Sequence, residues 1–146
     1  MLVIPQKELL TVEQMKYLQE LGINTSDASV YWMREVIDWR GKPSEGRQAK
    51  FYPSLVKERI VSGFQTYEVV PAYTLGKIIN HLPKKMSFND TECLFNIMYG
   101  HDGNAIAGYF LHDYPFYQST GDSLKDAAYD LLKSLIEDKL IEVNHG

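Results

Sequence analysis

The hydrophobic pattern is clearest near the C-terminus, where Leu124, Ala127, Ala128, Leu131, Leu132, Leu135 and Ile136 recur at three- and four-residue spacing. That spacing gathers side chains on one stripe of an α-helix. Ser123 precedes the stripe and Asp126 lies three residues on, so the helix carries an N-cap and a negative charge at the positive end of its dipole. An apolar stripe of this width requires a surface to bury against. Beyond it, Leu140, Ile141 and Val143 in a charged context read as a brief strand that returns the chain to a sheet.

The rest of the pattern supplies that sheet. Thr11 with Gln14 makes a capping box, Val12, Met15, Leu18 and Leu21 form a short stripe, and Gly22 before Ile23 stops the first helix. Residues 29–37 are aromatic and branched and read as a strand, with helix as the competing reading, followed by a polar turn over 39–44 containing Gly41 and Pro43. Residues 54–61 can form a single helical segment, and residues 64–70 read as a strand stopped by Pro71. Thr74 caps a compact helix with Leu75, Ile78, Ile79 and Leu82 on one face, ended by Pro83.

Residues 92–112 alternate around Asp102 and Gly103, a dipeptide favoured in two-residue hairpin turns. Such a turn pairs Tyr99 with Ile106, Ile97 with Gly108 and Phe95 with Phe110, giving a largely apolar face that meets the terminal helix. Residues 114–118 follow as an aromatic loop. The expected fold class is α+β, one domain over residues 1–146 with an antiparallel sheet of about four strands packed by two or three helices. No repeat, low-complexity tract or linker points to a second domain.

Composition narrows the class. The 146 residues are 45% hydrophobic without an 18-residue apolar run, which fits a globular chain and no membrane span. The opening MLVIPQKELL is interrupted too soon by Pro5, Lys7 and Glu8 to serve as a signal peptide. A single cysteine, Cys93, leaves no internal disulfide framework and no cysteine-based zinc site, and a reducing, cytoplasmic location is the simplest expectation. Charge is uneven: residues 1–33 sum to −2, residues 34–85 to +5 and residues 86–146 to −7.

The first helix with its following Asn24, Thr25, Ser26, Asp27, Ala28 and Ser29, the stretch Val70-Pro71-Ala72-Tyr73-Thr74-Leu75 leading to Leu82-Pro83-Lys84, and the ending Asp122-Ser123-Leu124-Lys125-Asp126-Ala127-Ala128-Tyr129-Asp130-Leu131-Leu132 together resemble a family of small uncharacterised bacterial proteins, often prophage or mobile-element borne. The resemblance covers about half the chain. The shared positions are caps, stops and apolar sites, so it implies no activity, cofactor or catalytic residue.

Candidate chemistry is sparse. His101-Asp102 and His112-Asp113 repeat a dipeptide of metal-dependent phosphohydrolases, but the two histidines lie roughly 26 Å apart along a hairpin arm at about 3.3 Å per residue, too far to share one ion. Asp102 is explained by turn geometry. The same register sets Cys93 opposite His112, the thiolate and imidazole pair of a small hydrolase, against the reading of a buried small hydrophobe. His81 and His145 read as solvated. There is no Gly-x-Ser-x-Gly elbow, phosphate loop or His-Glu-x-x-His helix, and no cofactor is expected.

Nucleic acid is the next reading, carried by the basic segment 34–85, where Arg34, Arg40, Lys42, Arg47, Lys50, Lys57 and Arg59 interleave with Tyr31, Trp32, Trp39, Phe51 and Tyr52. Five carboxylates dilute that field, and the terminal helix, at −2, repels phosphate. Ten tyrosines and two tryptophans instead favour protein contact. The expectation is a non-enzymatic accessory or protein-binding protein whose partner meets Tyr114, Phe116 and Tyr117, unless those residues form a lid on the core.

Overall fold

The computed structural model describes residues 5–143 and is of the α+β class. The chain divides into two compact units, one of Met1–Glu20 with Asn24–Tyr73 and one of Leu21–Ile23 with Thr74–Gly146. Each carries an antiparallel sheet, so the expected layer of about four strands is joined by a further one of three. His145 lies outside the described residues.

The N-terminal unit begins with helix α1, Val12–Glu20. Its capping box forms as the spacing predicts: the Gln14 amide nitrogen donates to Thr11 Oγ1 at 3.1 Å, and the Thr11 nitrogen donates to Gln14 Oε1 at 2.9 Å. After α1, in the stretch Leu21–Ile23 that belongs to the other unit, Gly22 turns the chain at φ 101°, where a side chain would be strained. Strands β1 (Val30–Ile37), β2 (Tyr52–Ser54) and β3 (Thr66–Ala72) make a sheet in the order β2-β1-β3. Strand β3 passes through Pro71 rather than stopping there, because β3 is an edge strand and can lack one amide donor. One sheet face buries Trp32, Val70 and Ala72 with Leu9, Leu10, Met15 and Leu18, and the Trp32 indole nitrogen donates to the Leu10 carbonyl at 2.8 Å.

The C-terminal unit holds helix α2 (Leu75–Asn80), strands β4 (Lys85–Phe88), β5 (Thr91–Tyr99), β6 (Ala105–Leu111) and β7 (Tyr114–Gly121), and helix α3 (Leu124–Glu137). The strands form one antiparallel sheet in sequence order. Helix α3 packs on β5, β6 and β7 and against α2. Its Ala127, Ala128, Leu131, Leu132 and Leu135 are fully buried, with Cys93, Ala105, Ala107 and Tyr109 on the sheet. Ser123 Oγ accepts from the Asp126 amide at 3.2 Å, as the cap requires.

Four further expectations need correction. The segment after Ser54 is not helical; it is a loop held by its own polar contacts, with Ser54 Oγ donating to the Val56 carbonyl at 2.8 Å. The aromatic residues 114–118 are the first half of β7, because His112 and Asp113 make a two-residue turn that folds them back on β6, with Leu111 opposite Tyr114. No strand forms at Leu140: Lys139 adopts φ 59°, its amide donates to the Ile136 carbonyl, and the Leu140 amide donates to the Leu135 carbonyl at 2.9 Å, a closing turn that uses Leu140 to finish the helix.

The fourth correction has the largest effect. Asp102 and Gly103 are not a two-residue turn but belong to a five-residue loop over 100–104, closed by the Gly100 amide on the Asn104 carbonyl at 2.8 Å. Phe95 therefore faces Tyr109, Ile97 faces Ala107 and Tyr99 faces Ala105, one residue from the expected register. A one-residue slip moves every β6 side chain to the other face. Ala105, Ala107 and Tyr109 turn toward α3, and Ile106, Gly108 and Phe110 turn away.

If α3 docks through its leucine ridge, Leu135→Ala costs about 2–5 kcal/mol of stability through the cavity it leaves, and Ser123→Ala costs about 1 kcal/mol through loss of the cap. Urea unfolding followed by circular dichroism measures both, and Leu135→Ala must be the larger.

Candidate interaction surfaces

The residues singled out by sequence do not converge. Tyr114 is 67% exposed and meets Phe116 edge-on, ring centroids 5.2 Å apart, while Phe116 is half-buried at the bulge between β6 and β7. Tyr117 belongs to an aromatic cluster on the α3 side of the sheet, stacked on Phe88 at 5.8 Å, with its hydroxyl donating to Asp138 at 2.6 Å. Burial and that carboxylate push the Tyr117 phenol up to about 12.

Cys93 is buried opposite Met86, its thiol directed at the Thr91 carbonyl at 3.7 Å, whereas His112 is exposed in the β6–β7 turn at φ 53°. The two share no hydrogen bond among the described residues. His101 and His112 stand in turns at opposite ends of β6, and His81 caps α2 at its C-terminal end, half-exposed. No group of three or more His, Cys, Asp or Glu side chains among the described residues is placed to hold a metal ion. No described helix is long and apolar enough to cross a membrane.

Three arginines of the basic segment, Arg34, Arg40 and Arg59, make contacts within the N-terminal unit. Arg34 binds Glu68 at 2.6 Å and lies 4.6 Å over the Phe51 ring; that guanidinium, with Lys16, holds the Glu68 carboxyl below its usual range. Arg40 grips Asp38 at 2.9 Å and lowers its carboxyl likewise. Lys42, Arg47 and Lys50 are exposed. A cleft of about 560 Å³ opens here, lined by Glu35, Asp38, Trp39, Arg40, Lys42 and Gln48 among others. Its carboxylates hold the surrounding loops: Glu35 accepts from Ser44 and from Gln65, each at 2.7 Å, and Asp38 accepts from the amides of Arg40 and Lys42.

Arg59 has the most informative position in this unit. Its Nε donates to the Met33 sulfur at 3.2 Å, and its guanidinium lies 5.3 Å from the Tyr52 ring and 6.0 Å from the Tyr67 ring. The charged side chain thus anchors the strap 55–64 onto the face of the three-stranded sheet opposite Trp32. The aliphatic residues beside it are in water: Leu55, Val56 and Val61 are exposed by half or more, Ile60 is fully exposed, and Phe64 and Trp39 are exposed close by. The whole strap is exposed, Arg59 included, so the aliphatics stand in water beside the cation that tethers them. Sequence reading placed a helix here and missed the exposed apolar strap. Its signal was the run Leu55-Val56-Lys57-Glu58-Arg59-Ile60-Val61, which fits no single helical face.

A second apolar surface lies on the β4–β7 sheet, on the side away from α3. Cross-strand rows place Leu94 beside Phe110 and Pro115, and Met98 beside Ile106 and Thr120, with Asn96, Gly108 and Gln118 between them. Leu94 is 61% exposed. This surface was hidden from sequence by the register slip, which had assigned Ile106 and Phe110 to the core.

Comparison with protein-family models, with curated proteins and with solved structures gives no match to this chain.

Two outcomes follow from these contacts. Arg59→Ala weakens the strap's anchorage by about 1 kcal/mol, so limited proteolysis cuts within residues 55–64 roughly fivefold faster while sites in the C-terminal unit are unaffected. Because the Tyr117 phenol is raised in the folded state, its contribution is complete below the ordinary tyrosine range and is lost as pH climbs through about 12. Ultraviolet titration must show a phenolate step near that pH that Tyr117→Phe removes.

Proposed function

We propose that the chain is a non-enzymatic accessory protein that binds another protein, and that the strap 55–64 is its principal contact. The observation that carries this reading is the cluster of exposed aliphatics on a strap that Arg59 tethers to Met33, Tyr52 and Tyr67. Exposed branched aliphatics cost solvation, yet here they stand in water on a loop that an arginine with three side-chain contacts tethers to its sheet. A pre-positioned apolar loop loses less freedom on association than a mobile one. Trp39 and Phe64 add aromatic area of the kind that dominates contact energetics, and exposed Tyr114 is a further contact point in the other unit. A cytoplasmic protein of a bacterial mobile element fits this reading, which rests on the resemblance and on the lone cysteine.

The test is a photo-crosslinking residue at position 60, expressed in cells of the protein's own source. One specific partner captured there, absent from the same residue at Glu20 and abolished by Val61→Asp, is the expected result. Yields at position 60 no greater than at Glu20 contradict it. Binding of single-stranded oligonucleotides that weakens steeply with salt would instead favour the nucleic-acid alternative on segment 34–85.

A further inference from the structure

The cleft beside the strap has an unbalanced lining. Its walls set the carboxylates of Glu35, Asp38 and Glu45 against the cations of Arg40 and Lys42. Asp38 and Arg40 satisfy each other at 2.9 Å, which leaves two carboxylates facing one ammonium. Glu35 is half-buried and is held by neutral donors, Ser44 Oγ on one oxygen and Gln65 Nε2 on the other. A carboxylate oxygen accepts two hydrogen bonds, so each keeps room for a donor from outside. Trp39, 62% exposed, brings an indole ring to the same cleft. A half-buried carboxylate beside an open indole suits a cation that also stacks.

Cleft and strap are joined. The Phe64 amide donates to the Trp39 carbonyl at 3.2 Å, and Gln65, the residue after the strap, carries the bond to Glu35. A Cβ at Gly63, which has φ 59°, would lie 2.5 Å from that Trp39 oxygen, so the junction depends on glycine. A segment that lies along the strap toward Phe64 thereby arrives at Trp39.

We propose that this cleft receives an arginine side chain of the partner protein, its guanidinium lying on the Trp39 ring and donating to Glu35, with Glu45 at the rim adding attraction. The inference rests on the strap as the contact and adds the partner's chemistry, an arginine next to aliphatic residues. Guanidinium suits the site better than ammonium because it is planar, stacks on aromatic faces and offers five donors in a fork. A volume of about 560 Å³ admits a side chain of that length. An anion would meet Glu35 and Glu45 with Arg40 already shared with Asp38, so charge favours the cation.

Acetyl-arginine amide titrated into the full chain, followed through the amide resonances of Ser44 and Gln48, tests the cleft without the partner. The expected result is saturable binding with a Kd on the order of 1–10 mM, and at least roughly fivefold weaker binding of acetyl-citrulline amide, which has the same shape without the charge. Lys42→Glu strengthens arginine binding roughly threefold and Glu45→Lys weakens it as much; both side chains are exposed, so the fold tolerates the changes. Trp39→Ala weakens it roughly fivefold. Absence of binding, equal binding of citrulline and arginine, or tighter binding of adenosine monophosphate than of arginine overturns the proposal. Crosslinking at position 60 separates the two readings. A partner captured equally well by the Glu45→Lys chain, with no arginine binding, strikes the cleft and leaves the strap; arginine binding without capture contradicts the strap instead.

Discussion

Loop parity governs the C-terminal unit. Five residues between β5 and β6, rather than two, set Phe95 against Tyr109 and Ile97 against Ala107. Because side chains alternate across a strand, that single residue decides which half of β6 lies under α3. The small Ala105 and Ala107 come to the helix side and admit the ridge of Leu131, Leu132 and Leu135 at close range. Tyr109 joins them, its hydroxyl reaching the Pro83 carbonyl at 2.8 Å and its ring meeting Phe88 and Phe95, and burial raises its phenol strongly. The larger Ile106 and Phe110 are left on the open face. Tight helix packing and an exposed apolar sheet are thus two results of one constraint.

The N-terminal unit solves a different problem. Its three-stranded sheet is small, and α1 with Leu9 and Leu10 covers one face. The other has Met33 fully buried at its centre, and Arg59 is drawn over it between two tyrosine rings. An arginine can do this because its methylene stem and planar guanidinium pack on apolar and aromatic surface while keeping hydrogen-bonding capacity at the rim. The residues on either side of it make no such contact with the sheet, and the strap's aliphatics stay in water.

Much of this was legible in the sequence where local chemistry decides. The caps at Thr11, Thr74 and Ser123, the glycine stop at Gly22 and the apolar ridge of α3 depend on neighbours within four residues, and each appears where the pattern places it. The α+β class followed from them. Strand register did not, because Asp102 and Gly103 suit both a two-residue turn and the longer loop, in which Asp102 accepts from the Asn104 amide at 3.0 Å. The tight turn between β4 and β5 had a signal in Asn89 and Asp90, both in the left-handed region, and with it β4 could have been found. The strap was illegible for a physical reason: its anchor pairs Arg59 with Met33, Tyr52 and Tyr67, contacts remote in sequence that no periodicity encodes.

Interproton contacts across β5 and β6 measured by nuclear magnetic resonance test the register on which the account rests. Cross-strand contacts of Ile97 with Ala107 and of Phe95 with Tyr109 are the predicted result. Contacts of Ile97 with Gly108 and of Phe95 with Phe110 would contradict it, because they would turn Ile106 and Phe110 beneath α3.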